Sequence, residues 1–135
     1  MIDTNILFAS VIKDRLTAEL LLSDKLILYA PEFLFDEFMK YEEYILEKTN
    51  RSKEDFEHYL TILREEIEII PENIINPFIQ KAEKFSPDEK DTVYLACALA
   101  INSKVWSNDK KLKEDQKEID VITTEELITK VGFLK

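Results

Sequence analysis

The chain has 135 residues, 18 Lys and Arg against 28 Asp and Glu, and a formal net charge of −10. The length is a prior for one domain over 1–135, the 45% hydrophobic content argues against a disordered chain, and Cys97, standing alone, excludes a disulfide scaffold. The acidity disfavours a protein that holds nucleic acid only through a broad basic surface. No run nears the roughly 18 apolar residues of a bilayer span and no secretory leader is visible, so a cytoplasmic location without a membrane is expected.

In chain order, Met1–Asp3 reads as the end of a short strand and Asp14–Leu22 as a helix. Leu26–Ala30 has strand length, and Pro31 opens the next element. Pro31–Lys48 reads as one long amphipathic helix with Leu34, Phe38, Tyr41 and Ile45 as its stripe. Arg51–Glu66 is a second helix, striped by Phe56, Leu60 and Leu63. Glu68–Ile70 is a short strand ended by Pro71, and Ile74–Lys84 a short helix. Ser86-Pro87-Asp88-Glu89 is a capping box with proline at the first helical position, opening a helix to about Asn102 that is apolar on every side from Val93 to Ile101 and therefore buried. Lys104–Ser107 and Asp120–Ile122 are strands, and Thr124–Val131 is a last helix with Thr124 as its cap. Strands separated by helices predict an α/β fold: a three-layer α/β/α sandwich around a parallel sheet of about five strands.

Most of the carboxylates belong on solvated helix faces, among them Glu42, Glu43, Glu47, Glu54, Glu57, Glu65 and Glu66. The informative ones stand where the pattern is apolar or at the end of a strand, because an unpaired buried carboxylate is costly. Asp3 and Asp109 each follow a strand, Glu37 lies at the edge of the long helix's stripe, and Asp91 lies one turn into the buried helix. Each has a structural reading: a cap or turn for Asp3 and Asp109, and a boundary glutamate reaching water for Glu37. Asp88 is explained by the helix dipole, which serves less well for Asp91. Together they point to the carboxyl edge of the sheet, where open α/β folds bind ligands. Carboxylates gathered there repel one another without cations, and hard oxygen donors favour Mg²⁺ or Mn²⁺. Zinc is disfavoured, since Cys97 is expected to be buried and His58 to lie on a surface face.

Four stretches carry a resemblance to a known family: Ile2-Asp3-Thr4-Asn5-Ile6; Glu37; Asp88-Glu89-Lys90-Asp91 followed by Leu95-Ala96-Cys97-Ala98-Leu99; and Val105-Trp106-Ser107-Asn108-Asp109. In this order they resemble the PIN-domain family, and within it the compact VapC-type proteins. The resemblance implies strand order 3-2-1-4-5 and a Mg²⁺- or Mn²⁺-dependent ribonuclease leaving 5′-phosphate and 3′-hydroxyl ends, commonly the toxin of a toxin–antitoxin pair. It implies Asp3, Glu37, Asp91 and Asp109 as catalytic and metal-binding acids, with Thr4, Asn5, Ser107 and Asp88 in support. Lys13, Arg15, Lys40, Lys110, Lys111 and Lys113 are the nearest candidates for phosphate contact. The expected partners are single-stranded or structured RNA, an antitoxin protein and a second copy of the chain, with Tyr41, Tyr44 and Tyr59 offering a dimer face or antitoxin groove unless they pack the two long helices together.

Two other classes compete. A catalytically silent module of the same fold, binding RNA or protein, suits the net charge of −10. A phospho-accepting receiver domain needs paired acids after its first strand and a lysine after its last. Asp3 is single and Ile122-Thr123-Thr124 follows the last strand, so that class ranks low.

Overall fold

Ile2 sits between two pairs of parallel strands. Its N–H donates to the Tyr29 carbonyl at 3.0 Å, and it forms a parallel bridge with Trp106, whose N–H donates to the Met1 carbonyl at 2.7 Å. The computed structural model describes residues 1–12, 15–86 and 89–132, with Lys90 described by its backbone alone. Its elements are α1 (Thr4–Ile12), α2 (Arg15–Leu21), β1 (Leu28–Pro31), α3 (Phe33–Met39), α4 (Glu42–Thr49), α5 (Lys53–Glu66) and β2 (Ile67–Ile70). They continue with α6 (Glu72–Ile75), a 3-10 turn (Asn76–Phe78), α7 (Ile79–Glu83), α8 (Glu89–Ile101), β3 (Val105–Trp106), α9 (Lys110–Asp115), β4 (Val121–Ile122) and α10 (Thr124–Val131).

The fold is mixed α/β, mostly helical with short parallel strands. β1 pairs with β2 in the register Leu28 to Ile67 through Pro31 to Ile70, and β3 pairs with β4 through Val105–Val121 and Trp106–Ile122. About five strands are expected from the hydrophobic runs; the described residues form four, and Met1–Asp3 supplies one bridge in place of a strand. The cause is local. Asp3 already caps α1, its Oδ1 accepting the Ile6 N–H at 3.2 Å, so the extended run ends at Ile2. Neighbouring strand residues point to opposite faces, and Val105 and Trp106 are both buried, so β3 is covered on both sides. α8 packs against β1, α6, the 3-10 turn and α7, while α1 packs against α2, α3 and α4.

Burial of α8 follows its composition: Tyr94, Leu95, Ala96, Cys97 and Ala98 are consecutive and all buried. It ends as its sequence allows, with Asn102 in the left-handed region (φ 51°). Asn102 N–H donates to Leu99 O and Ser103 N–H to Ala98 O, which satisfies two terminal carbonyls. The capping box predicted at its start includes Pro87 and Asp88, which lie outside the described residues.

Several boundaries differ from the sequence expectation. Pro31 ends β1 and does not open a helix. The long helix expected over Pro31–Lys48 is two, broken at Lys40–Tyr41 where Tyr41 has φ −104° and ψ 15°. The break still buries Leu34, Phe38 and Ile45 while leaving Tyr41 42% exposed. The helix expected over Ile74–Lys84 is interrupted by a 3-10 turn at Asn76-Pro77-Phe78, since proline removes a backbone donor. α10 is capped by Thr123, whose side chain accepts from Glu126 N–H while the Glu126 carboxylate accepts from Thr123 N–H, a complete capping box. Thr124 accepts the Trp106 indole N–H at 2.9 Å instead. Glu42, expected on a solvated face, is half-buried and its Oε1 is shielded without a hydrogen-bond partner. Helices α1 and α9 were not anticipated by periodicity. No helix among the described residues is long and apolar enough to cross a membrane.

Candidate active site

Asp3 is 8% exposed and held from several sides. Its carboxylate accepts the N–H groups of Ile6 and Asn5 and the hydroxyl of Ser107. Ser107 is fully buried just past β3, and its Oγ in turn accepts the Asp109 N–H at 3.1 Å. One hydroxyl thus ties the two strand-end aspartates together. Asp109 caps α9, its Oδ1 accepting from Lys111 N–H at 3.0 Å and Leu112 N–H at 3.2 Å. The loop before it is pinned by Asn108, whose Oδ1 accepts the Thr124 N–H at 2.8 Å.

Glu37 is half-buried on α3. Its Oε1 accepts the Tyr94 hydroxyl at 2.7 Å, and the Thr4 hydroxyl, within reach of both oxygens, donates its one proton to Glu37 Oε1 or to the Tyr94 oxygen. Tyr94 lies one turn after Asp91 on α8, so both occupy one helix face.

A cavity of about 240 Å³ is lined by Asp3, Thr4, Asn5, Phe8, Glu37, Tyr41, Asp91, Tyr94 and Asp109. It brings together all four acids singled out by their sequence context. Two wider hollows, of about 640 and 650 Å³, gather no comparable set among the described residues: Glu83 and Glu89 are the acids in one and Glu118 in the other. Burial pushes the Asp3 carboxyl from 3.8 up to about 6, and the charge of Asp109 adds to the rise, while the bonds from Ser107, Ile6 and Asn5 oppose it. Burial also pushes the Tyr94 phenol upwards, helped by the charges of Glu37 and Asp3, so Tyr94 stays protonated and serves as a donor.

The family model described as PIN domain matches residues 1–129. The chain belongs to the PIN-domain family. No curated protein and no solved structure gives a significant match. PIN domains are generally nucleases and typically use divalent metals. Among the described residues of this PIN domain, no group of three or more His, Cys, Asp or Glu side chains stands ready as a metal-binding cluster. Asp3, Glu37 and Asp109 are each engaged by protein donors. The donor set fits a hard cation in its chemistry: four carboxylates on one cavity, one of them with its ionisation shifted up to about 6 by burial and a like charge. His58 is exposed on α5 and Cys97 is buried, in keeping with the case against zinc.

The remaining site expectations sort unevenly in this PIN domain. Thr4 and Asn5 line the cavity and Ser107 supports it from behind, whereas Asp88 and Lys13 lie outside the described residues. Lys40, Lys110 and Lys111 are exposed, and Arg15 is exposed in an ion pair with Glu19 at 3.3 Å. None of these four lines the cavity. Lys113 has partners of its own: its Nζ donates to Val121 O at 2.7 Å and pairs with Glu126 at 2.7 Å, which binds α9 to β4 and α10. Tyr59 is half-buried and donates to Ser10 Oγ at 2.9 Å, so it ties α5 to α1. Tyr94 was missed as a site residue, although a phenol three residues after Asp91 in an apolar run needs a polar partner when buried.

Proposed function

We propose that the chain is a divalent-metal-dependent endoribonuclease that hydrolyses RNA phosphodiester bonds. The observation that carries this reading is the convergence of Asp3, Glu37, Asp91 and Asp109, from four distant points of the sequence, on one cavity. Asp3 and Asp91 would hold Mg²⁺ or Mn²⁺, with Glu37 and Asp109 completing the set directly or through water. Bound there, the cation supplies an activated water and neutralises charge on the phosphate. The chain's own groups do the positioning. Ser107 holds the carboxylate of Asp3 and the backbone of Asp109 together, and the hydroxyls of Thr4 and Tyr94 orient Glu37. The backbone row β2, β1, Ile2, β3, β4 supports a five-membered arrangement in the order 3-2-1-4-5, acting as one domain.

In this reading the protein is the toxin of a toxin–antitoxin pair and works as a homodimer, with Tyr44, 51% exposed on α4, available to a protein partner. A second reading, a silent PIN-fold module that binds RNA or protein, is favoured by the net charge of −10 and by the lack of a ready metal cluster among the described residues. Cleavage of labelled single-stranded RNA by the purified protein, in Mn²⁺, Mg²⁺ or EDTA and beside Asp3→Asn, separates them. Cation-dependent cleavage that vanishes in the variant is expected. Folded protein that leaves RNA intact in every cation would favour the silent module.

A further inference from the structure

The cavity that gathers the acids has an aromatic wall. Tyr41 and Phe8 line it beside the four carboxylates. The Tyr41 ring stands edge-on to Phe8, with centroids 5.2 Å apart at 82°, and is 42% exposed. Phe8 leans on Phe38 at 5.3 Å, and Phe38 stacks on Phe56 at 5.7 Å and 14°. The exposed ring is therefore the outer member of a file of rings rooted in the core. It occupies the break between α3 and α4, where the backbone leaves the helical path and carries Tyr41 off the buried stripe.

Among the described residues no Lys or Arg lines this cavity, and the protein carries a net charge of −10. A polyanion there gains from a source of affinity that does not depend on charge. Nucleobases offer one, because every base has a face that stacks on an aromatic ring whatever its identity. The volume points the same way: about 240 Å³ is below the ~300–1,000 Å³ of pockets that enclose a drug-sized ligand, so it suits one unit of a longer strand. A paired base has both faces covered by its neighbours in the duplex and cannot offer one without unstacking.

We propose that Tyr41, backed by Phe8, is a stacking platform for an unpaired base next to the bond to be cut. This rests on the nuclease reading above and names what that site selects. The test is binding of a single-stranded RNA carrying 2-aminopurine, with Ca²⁺ in place of Mg²⁺, followed by both affinity and quenching of the probe. Wild type should quench the probe and bind the single strand at least ten-fold more tightly than a duplex of the same sequence. Tyr41→Ala should lose the quenching and about 5- to 150-fold in affinity, the range for one stacked base. Tyr41→Phe should keep both, which excludes a general loss of fold. Two outcomes overturn the platform and leave the nuclease standing: wild type that cuts RNA while Tyr41→Ala binds and quenches as wild type does, or equal binding of single strand and duplex. Wild type that neither binds nor cuts RNA overturns both proposals.

Discussion

The hydroxyl of Tyr94 donates a 2.7 Å hydrogen bond to Oε1 of Glu37, 57 residues away in sequence. It joins α8 to α3 across the cavity, and the Thr4 hydroxyl closes the triangle. A hydrogen bond to an ionised acceptor contributes roughly 1.5–3 kcal/mol. Tyr94→Phe keeps the ring, and its tilted contact with Phe33 at 5.9 Å, while removing that bond. We expect a stability loss of about 1.5–3 kcal/mol by urea denaturation, together with a fall in kcat at little change in KM, because Glu37 loses its orientation. Unchanged stability and kcat would show that Thr4 alone is enough.

Asp3 sets function against stability. In the unfolded chain its carboxyl ionises near 3.8, and in the fold near 6. Below pH 3.8 it is protonated in both states and imposes no penalty. As pH rises from 3.8 to about 6, the unfolded chain ionises first and the folded state loses ground, by about 3 kcal/mol once both are charged. In EDTA at pH 7, Asp3→Asn should therefore be more stable than wild type by up to about 3 kcal/mol, and the two should converge towards pH 4. The same variant should lose all cation-dependent cleavage. Denaturation curves across pH 4–8 check the first expectation and an RNA assay the second.

Divalent cation should remove that penalty. With Mn²⁺ at 100 times its dissociation constant, linkage adds about 2.7 kcal/mol to wild-type stability. Asp3→Asn should show little of this gain. An equal gain in both proteins would place the cation away from Asp3.

Ser107→Ala should act on two acids at once. The hydroxyl is fully buried, donates to Asp3 and accepts from Asp109 N–H. Its loss removes the acceptor of the part-buried Asp109 N–H, a cost of about 0.5–1.5 kcal/mol. Cleavage should fall with it, and Ser107→Thr should restore part of both if the larger side chain is accommodated. Activity equal to wild type in Ser107→Ala would show that this tie is structural only.

The basic side chains should divide by their surroundings. Lys113→Met should lower stability and leave RNA affinity unchanged, because Lys113 is committed to Val121 and Glu126. Lys110→Ala with Lys111→Ala should leave stability unchanged and flatten the salt dependence of RNA binding by roughly one to two in log–log slope. The reverse pattern would place the nucleic acid across β4 and α10.

Much of this was legible from the chain alone, for physical reasons that can be named. The buried character of α8 is a matter of composition, although of Val93–Ile101 only Tyr94–Ala98 are buried and Val93, Leu99, Ala100 and Ile101 are half-buried. The four acids were visible because carboxylates beside apolar runs need a reason. The breaks were not. Nothing in the Phe38–Tyr41 pattern distinguishes one long helix from two, since the stripe keeps its phase across the bend and only Tyr41 changes environment. Met1–Asp3 reads as the end of a strand and forms a single bridge, and the apolar run after it is α1, because a buried helix and a buried strand share one hydrophobic signature. Lys113 looked like its neighbours in sequence, and its commitment to Val121 and Glu126 depends on how α9 lies against β4. The caps at Asp3 and Asp109 show that the structural and functional readings of an aspartate need not compete, because one residue ends a strand, starts a helix and faces the cavity.

Ile2 is the keystone of this architecture. The β1–β2 pair stands on one side of it and the β3–β4 pair on the other. Glu37 follows β1, Asp109 follows β3, and Asp3 adjoins the keystone itself. Any opening along that seam would part the carboxylates before it unfolded either half. Deuterium uptake at the Ile2 and Trp106 amides should thus track the assembly of the acidic cavity more closely than the melting of the whole protein, and ligands that clamp the acids together should slow it.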